Sequence, residues 1–379
     1  MGVMNEQAGF EYMREALRLA AKGAGWVAPN PMVGAVIVKE GQVVGKGYHR
    51  RFGGPHAEVE ALSQCRKGQV DVRGATMYVT LEPCCHVGKT GPCTEAVIEA
   101  GIGRVEIATL DVFAAVSGKG AQRLREAGLD VTVGLCEAEA RKLNGGFIML
   151  QQSHRPLVIL KWAQSEDGRL AWPIQAKGEG SGEASRWISN EKSRRHAHRL
   201  RSRCTAVLVG IGTVLADDPL LTVRLKGRHF QPMRVVLDSD LRIPEQCKLV
   251  QTATSWRLVV FASREAVAEQ QEKVGALYEL GCDIVPVASG PGGLDVREVV
   301  RGLGERGVTE LLVEGGAKVL RSFYEASLAD KVVAYVAPVR IGGGAEVARV
   351  DFLADQDSWR CVRRRRLAGD LLIEACLSD

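Results

Sequence analysis

The sequence predicts a chain of two α/β domains. Three observations carry this. At 379 residues the chain is too long for one typical hydrophobic core. Apolar runs of strand length alternate with segments of helical periodicity along most of it. A polar break, Ser153-His154-Arg155-Pro156, separates the last helical pattern of the first half from the apolar run at 157–160. The expected division is therefore residues 1–153 and 154–379.

Residues 9–24 place apolar side chains at helical spacing and end in glycines, so they predict a helix. Residues 33–39 and 42–48 read as strands joined by a tight turn at Glu40-Gly41. A helix over 57–65, a strand over 75–80 and a helix over 93–100 come next. A strand over 104–110, a helix over 120–127 and a short strand over 131–134 follow, and a helix over 137–152 closes the first domain. The second domain offers β-rich runs at 206–209, 234–237, 258–261, 283–287, 310–313, 332–336 and 371–375. Helical patterns lie between them, notably at 190–201 and 317–327. GEGSG at 178–182 predicts a loop, and the four arginines at 363–366 an exposed strand edge. There is no internal repeat.

The composition, 46% apolar and 25% charged, is that of a globular protein. A net charge of +5 suits anionic small molecules and nucleic acid alike. The N-terminus lacks an apolar signal core, and no stretch approaches the roughly 18 apolar residues of a membrane span, so a soluble, cytoplasmic protein is expected. Ten cysteines without a signal peptide point to metal binding or plain burial rather than disulfides.

The chemistry concentrates in the first half. His56-Ala57-Glu58 is followed by Glu82-Pro83-Cys84-Cys85-His86 and by Pro92-Cys93. One imidazole and two thiolates give zinc three ligands and leave a position for water, the arrangement of catalytic rather than structural zinc. Glu58 can move protons without binding the metal. His-x-Glu before a helix and Pro-Cys after a strand are the marks of zinc deaminases, which remove an exocyclic amine from a base. Buried thiols and a packed histidine are the bland alternative, and the joint pattern argues against it. The common spacing is Pro-Cys-x-x-Cys, but Val87 stands three residues after Cys84. The second thiolate is then Cys93, or else Cys85 or His86 takes its place. Adjacent cysteines rarely set both sulfurs on one tetrahedral ion, which favours Cys93. In the intervening loop Lys89 is a natural phosphate contact. In the second half, VEGGAKVL follows a strand and opens a helix, so Gly315 and Gly316 let amides approach a phosphate. GxGxxG is absent, so a doubly wound dinucleotide fingerprint is not supported. Asp167 is a candidate acid or base there, although an aspartate before glycine is also a common turn residue.

Two rivals stand beside the small-molecule deaminase. A nucleic-acid deaminase needs stacking aromatics and a basic track, and the first domain offers few aromatics (Trp26, Tyr48, Phe52) and no basic run near His56. A purely structural zinc module needs a closed site, with Cys85 or His86 as fourth ligand.

With these motifs in hand, the chain resembles the bifunctional riboflavin-biosynthesis deaminase/reductase family over nearly its whole length. The marks are Pro29-Asn30-Pro31 with VGAVIV, GYH ending at His49, HAEVEAL from His56 and VTLEPCCHVGKTGPC ending at Cys93. SEDGR (165–169), ASRWIS (184–189), TVLADDPLLTVR (213–224) and VEGGAKVL (313–320) carry the second half. The resemblance implies a cytidine-deaminase-like three-layer domain followed by a dihydrofolate-reductase-like α/β domain. It implies hydrolytic removal of the 2-amino group of 2,5-diamino-6-(5-phosphoribosylamino)pyrimidin-4-one, then NADPH-dependent reduction of the ribosyl group to ribityl. It assigns zinc to His56, Cys84 and Cys93, the proton shuttle to Glu58, and substrate contacts to Asn30, His49, His86, Lys89 and Asp111. In the second domain it assigns NADPH to Ala163, Trp187, Thr213, Asp217, Gly316, Ala317, Lys318, Val319, Leu320, Arg321 and Ser322. Ser185, Arg201, Leu221, Arg224 and Glu314 fall to substrate. It further implies a homo-oligomer that binds neither nucleic acid nor membrane. One departure stands out. The family pattern is Asp-Pro-Asn-Pro, whereas Asp111 is followed here by Val112-Phe113-Ala114. Intact metal binding with altered substrate affinity is the expectation.

Overall fold

Alternation along one strand sets the layering of the first unit. In the computed structural model, β1 (Gly34–Lys39) sends Ala35 and Ile37 into one apolar cluster and Val36 and Val38 into another. The structure describes residues 6–85, 91–113, 117–170, 187–290, 292–342 and 359–377. The chain separates into Met1–His154 and Arg155–Asp379.

In the first unit β1 pairs antiparallel with β2 (Gln42–Tyr48) and with β3 (Thr76–Val79). β4 (Arg104–Ile107) and β5 (Asp130–Val133) continue the sheet parallel to β3, giving the order β2-β1-β3-β4-β5. The helix α1 (Glu6–Ala20) covers one face with Met13, Ala16 and Leu19, and α5 (Glu137–Leu143) adds Ala140. α2 (Ala57–Lys67), α3 (Cys93–Glu99) and α4 (Lys119–Glu126) cover the other through Ala61, Leu62, Val97 and Leu124. Each large aliphatic side chain so buried stabilises the layers by about 1.5–3 kcal/mol relative to exposure.

One expectation needs correction. The helix expected over 137–152 is broken into α5 and α6 (Gly145–Ser153) at Asn144. Asn144 is buried, its Oδ1 accepting from the Met32 amide at 2.8 Å and its Nδ2 donating to the Met32 carbonyl at 2.9 Å. These two bonds hold the residue at φ −95°, ψ 18°, off the helical path. They also tie down the segment that carries Asn30.

The second unit is built on a nine-stranded sheet. Its strands are β6 (Leu157–Ser165), β7 (Ala206–Gly210), β8 (Met233–Leu237), β9 (Leu258–Ser263) and β10 (Cys282–Val287), then β13 (Glu310–Val313), β14 (Lys331–Ala337), β15 (Arg360–Leu367) and β16 (Asp370–Cys376). A hairpin of β11 (Ser289–Gly290) and β12 (Gly293–Leu294) stands apart. The order is β10-β9-β8-β7-β13-β6-β14-β16-β15, parallel from β10 to β14 and antiparallel thereafter. β15 is the edge, and Arg363 to Arg366 are exposed along it, as the sequence suggests. On one face α12 (Val296–Glu305) and α13 (Ala317–Glu325) bury Val299, Leu303, Leu320 and Phe323. On the other, α9 (Lys248–Gln251) and α11 (Gln271–Glu279) bury Leu249, Val250, Val274 and Leu277. α7 (Glu191–Arg201) and α8 (Ile211–Asp217) flank β7 in the chain, and α10 (Arg264–Glu269) follows β9. Among the described residues no helix is long and apolar enough to cross a membrane.

The sheet topology places chemistry. In each unit, neighbouring parallel strands end side by side, and ligands of open α/β sheets bind beyond such carboxyl ends. β3 and β4 do this in the first unit, and β7, β13 and β6 in the second.

Replacing Asn144 with Ala removes two buried hydrogen bonds and leaves the Met32 backbone unpaired. Urea unfolding is expected to show the first unit weakened by about 2 kcal/mol. A loss below about 0.5 kcal/mol would contradict the role given to Asn144.

Candidate functional site

In the first unit two helix starts meet one strand end. His56 caps α2 in an extended conformation, and Cys93 is the first residue of α3. Cys84 lies in the turn that follows β3. One ligand atom from each of the three lies within 4.8 Å of the others. His56 Nδ1 is 3.2 Å from Cys93 Sγ and 3.6 Å from Cys84 Sγ, and the Cys93 amide donates to Cys84 Sγ at 3.4 Å. The hydrogen bond from Cys93, helped by His56, pulls the Cys84 thiol down against its burial. Donation to Cys84, and burial, drive the Cys93 thiol upward. The bond to Cys84 raises His56. One imidazole nitrogen and two sulfurs at this spacing, with one thiol already prone to ionise, are a donor set suited to zinc.

Glu58 sits two residues into α2 and is 3% exposed. Its Oε2 is buried and, among the described residues, receives no hydrogen bond. Burial, then the charge on Cys84, push its carboxyl up to about 7. A buried oxygen without a donor is rare in folded proteins and costs about 1–3 kcal/mol. This one stands beside the histidine and the two cysteines.

His49 lies against them, its ring 5.3 Å from that of His56 and nearly perpendicular to it. Its Nδ1 faces the Pro55 carbonyl at 2.9 Å, and its Nε2 faces Asn30 Nδ2 at 3.3 Å. The carbonyl can only accept, so Nδ1 carries the proton and Nε2 accepts from the amide. Burial lowers the pKa of His49 and keeps the ring neutral. Asp111 follows β4, and its Oδ1 accepts from the Phe113 amide at 2.9 Å, closing its own turn. Phe113 is 43% exposed where the family pattern has asparagine. Cys85 does not join the three-residue cluster. His86 and Lys89 lie outside the described residues, as do Ser185 and the loop at 178–182.

In the second unit a cleft opens at the ends of β6, β7 and β13. Ala163, Trp187, Thr213, Asp217, Leu221 and Arg224 line it, with Arg201, Glu314 and the first turns of α13. Glu314 follows β13, and Arg201 grips it with two nitrogens, Nη2 to Oε2 at 2.6 Å and Nε to Oε1 at 3.3 Å. Arg201 Nη1 donates to the Thr222 carbonyl at 2.8 Å. Burial alone would raise Glu314, but Arg201 and Lys161 outweigh it and hold the carboxyl at about 2. Burial, with Arg201 and Arg224 nearby, lowers His198 to about 4. Leu221 is buried at φ +55°, a costly backbone state that persists only where its surroundings enforce it. Arg194 stacks on the half-exposed Trp187 ring at 5.2 Å. Gly316 caps α13, and a Cβ on Gly315 would come within 2.6 Å of Val319, so glycine is what lets that turn close.

Two of the residues expected at the cofactor do not line the cleft. Leu320 is fully buried and packs into the apolar core, and Arg321 is absent from the lining. Asp167 is a turn residue: it accepts from Ser165 Oγ at 2.6 Å and from the Ile341 and Gly342 amides. Sequence reasoning missed Lys161, 3.9 Å from Glu314, and Tyr335, which meets His196 at 2.8 Å; both line the cleft. A lysine inside the apolar run of β6 was the available signal for the first. Tyr335 offered none.

Comparison with known proteins finds a family model in each unit. The family model described as cytidine and deoxycytidylate deaminase zinc-binding region matches residues 7–109, and that of the RibD C-terminal domain matches residues 156–373. Riboflavin biosynthesis protein RibD of Aquifex aeolicus is 42% identical over 365 residues, covering 96% of this chain and 96% of that protein. The crystal structure of a diaminohydroxyphosphoribosylaminopyrimidine deaminase/5-amino-6-(5-phosphoribosylamino)uracil reductase from Thermotoga maritima is 37% identical with a TM-score of 0.83, covering 98% of this chain and 99% of that one. Acinetobacter baumannii RibD in its form 1 is 34% identical with a TM-score of 0.83 and the same coverage.

Elemental analysis of the purified protein is expected to find about one zinc per chain, and less than about a fifth of that after Cys84→Ser or Cys93→Ser. Full zinc in either variant would contradict the site. His198, lowered in the fold, binds its proton more readily when unfolded. Its effect is therefore to weaken the fold as pH falls from about 6.5 towards 4. Glu314 runs the same way in a lower window: its stabilisation is complete above its ordinary value near 4.3 and is lost progressively as pH falls from there through about 2. NMR of the His198 C2 proton should show a midpoint below 5; a midpoint near 6.5 would contradict the burial and charge described.

Proposed function

The chain belongs to the RibD family of riboflavin-biosynthesis proteins, and we propose from that premise how its residues divide the work. It is a bifunctional enzyme with a zinc-dependent deaminase and an NADPH-dependent reductase. It deaminates 2,5-diamino-6-(5-phosphoribosylamino)pyrimidin-4-one and reduces the ribosyl group of the product to ribityl. We assign the deaminase to residues 1–153 and the reductase to 154–379. The observation that carries the reading is the unpaired Oε2 of buried Glu58 beside His56, Cys84 and Cys93.

His56, Cys84 and Cys93 would hold the zinc. Bound there, zinc supplies a Lewis acid that makes hydroxide available near neutral pH. Glu58 handles the protons. Its Oε2 takes one proton from the attacking water and gives it to the ring nitrogen, then takes the second from the new hydroxyl and gives it to the amine as the C–N bond breaks, so water and the C–NH2 group become a carbonyl and ammonia. A carboxyl pushed up to about 7 can take and return a proton at neutral pH. His49 fixes which end of the Asn30 amide faces outward. With Nδ2 given to His49, the Asn30 carbonyl oxygen is left to accept an N–H of the pyrimidine. Asp111, His86 and Lys89 complete the substrate contacts.

In the second unit NADPH supplies the hydride. The remaining work is orientation and exclusion of water. Ala163, Trp187, Thr213 and Asp217 would hold the cofactor with Gly316, Ala317, Lys318, Val319 and Ser322 at the start of α13, its amides taking phosphate. Arg201 is spent on Glu314 and Thr222, so Arg224 is the guanidinium we assign to the sugar phosphate. Ser185, Leu221 and Glu314 frame the sugar. The family likeness extends to a cytoplasmic homo-oligomer, which light scattering behind size exclusion and cell fractionation would test.

Ammonia release and NADPH absorbance, followed separately, test the assignment. Wild-type protein should release ammonia without NADPH and oxidise NADPH only after deamination. Glu58→Gln should cut ammonia release by at least about a thousandfold, keep its zinc, and still reduce the deaminated compound. Ammonia release at the wild-type rate in a zinc-loaded Glu58→Gln protein would refute the role of Glu58.

A further inference from the structure

A second buried carboxylate lies beside the cysteine ligands, and the chemistry above makes no use of it. Glu82 stands two residues before Cys84 and is 4% exposed. Its Oε2 accepts the amide N–H of Asp111 at 3.1 Å and that of Gly118 at 2.9 Å, and its Oε1 accepts that of Ala121 at 3.0 Å. Three backbone donors satisfy a buried carboxylate without any cation. Asp111 lies four residues after β4 and Gly118 immediately precedes α4, so one oxygen joins two points of the connection between them.

The packing around it is equally tight. The Glu82 amide donates to the Thr109 carbonyl at 3.1 Å, and the Thr94 amide donates to the Cys84 carbonyl at 3.2 Å. A Cβ on Gly120 would lie 2.1 Å from the Pro83 carbonyl oxygen and 3.1 Å from Glu82 Cγ, so the first turn of α4 rests directly on this segment. Residues 82–84, 109–111 and 118–121 therefore form one hydrogen-bonded block.

We propose that Glu82 is a positioning residue of the deaminase, which locks the Asp111 segment to the segment carrying Cys84. It touches neither metal nor substrate. It presets the wall against which the pyrimidine is bound, so that binding need not order that segment. The kinetic part of this role rests on Asp111 being a substrate contact. Only a carboxylate fits, because an amide in its place turns an NH2 toward one of the three N–H donors. The chain's departure from the family pattern after Asp111 then alters side chains, while the clamp uses backbone amides alone.

Glu82→Gln in the full-length protein tests this. Expected are a KM for the deamination substrate raised about tenfold, kcat within about threefold, one zinc per chain and unchanged reductase activity. Chymotrypsin should cleave after exposed Phe113 at least about fivefold faster, with zinc present or removed, since the clamp does not need the metal. Should Gln fail to fold, Glu82→Asp keeps the charge but falls one methylene short, and the same pattern is expected. Unchanged cleavage and unchanged KM in a folded, zinc-bound variant would overturn the proposal, as would faster cleavage with unchanged KM. Asp111→Ala separates the two readings. If its KM is unchanged, the contact assigned to Asp111 has failed, and the cleavage rate alone decides whether Glu82 holds the segment.

Discussion

A carboxylate enclosed by protein has to be matched by a donor or a counter-charge, and half of Glu58 is matched by neither. Enclosing that oxygen without a partner costs free energy that the rest of the unit has to offset. The fold meets this by setting Glu58 in the first turn of α2, where His56 caps the helix and the dipole favours negative charge. The layers around it hold it there. α2 cannot slide while Ala57, Ala61 and Leu62 are packed on the sheet, and α3 cannot leave while Val97 is. The free oxygen is kept where a water bound beside the histidine and cysteines would meet it.

The two units reach their sites by related means. In each, the ends of neighbouring parallel strands supply the polar groups, and helix starts supply amides. In the first unit Cys84 follows β3 and meets the starts of α2 and α3. In the second, Lys161 on β6 and Glu314 after β13 line a cleft with the start of α13. They differ in how charge is settled. Glu314 is buried against Arg201 and stays ionised. For Glu58, burial and the neighbouring Cys84 outweigh His56 and push the carboxyl upward. A group that only shapes a pocket should stay fixed in one charge state, and one that moves protons should not.

Much of this was legible in the sequence because it is local. His-x-Glu at a helix start and Pro-Cys after a strand lie within a few residues of the backbone that positions them. The strands of both sheets showed in their apolar runs. The choice between Cys93 and Cys85 turned on sulfur geometry, and only the fold shows which thiols stand beside His56. Asn144 could not be read, since its bonds reach back to Met32 across most of the first unit. Tyr335 and His196 meet only because β14 pairs with β6 and α7 packs nearby. Leu320 was within reach. It and Phe323 lie three apart on α13 and face the core, while Val319 and Ser322 line the cleft. The family likeness, which treats that stretch as one run, hid the helical period.

The most direct test is zinc K-edge X-ray absorption of the purified protein. An open site predicts one imidazole nitrogen, two sulfurs at about 2.3 Å and one light atom in the fourth position. Three or four sulfurs, or a second imidazole, would mean a closed structural site and would contradict the account.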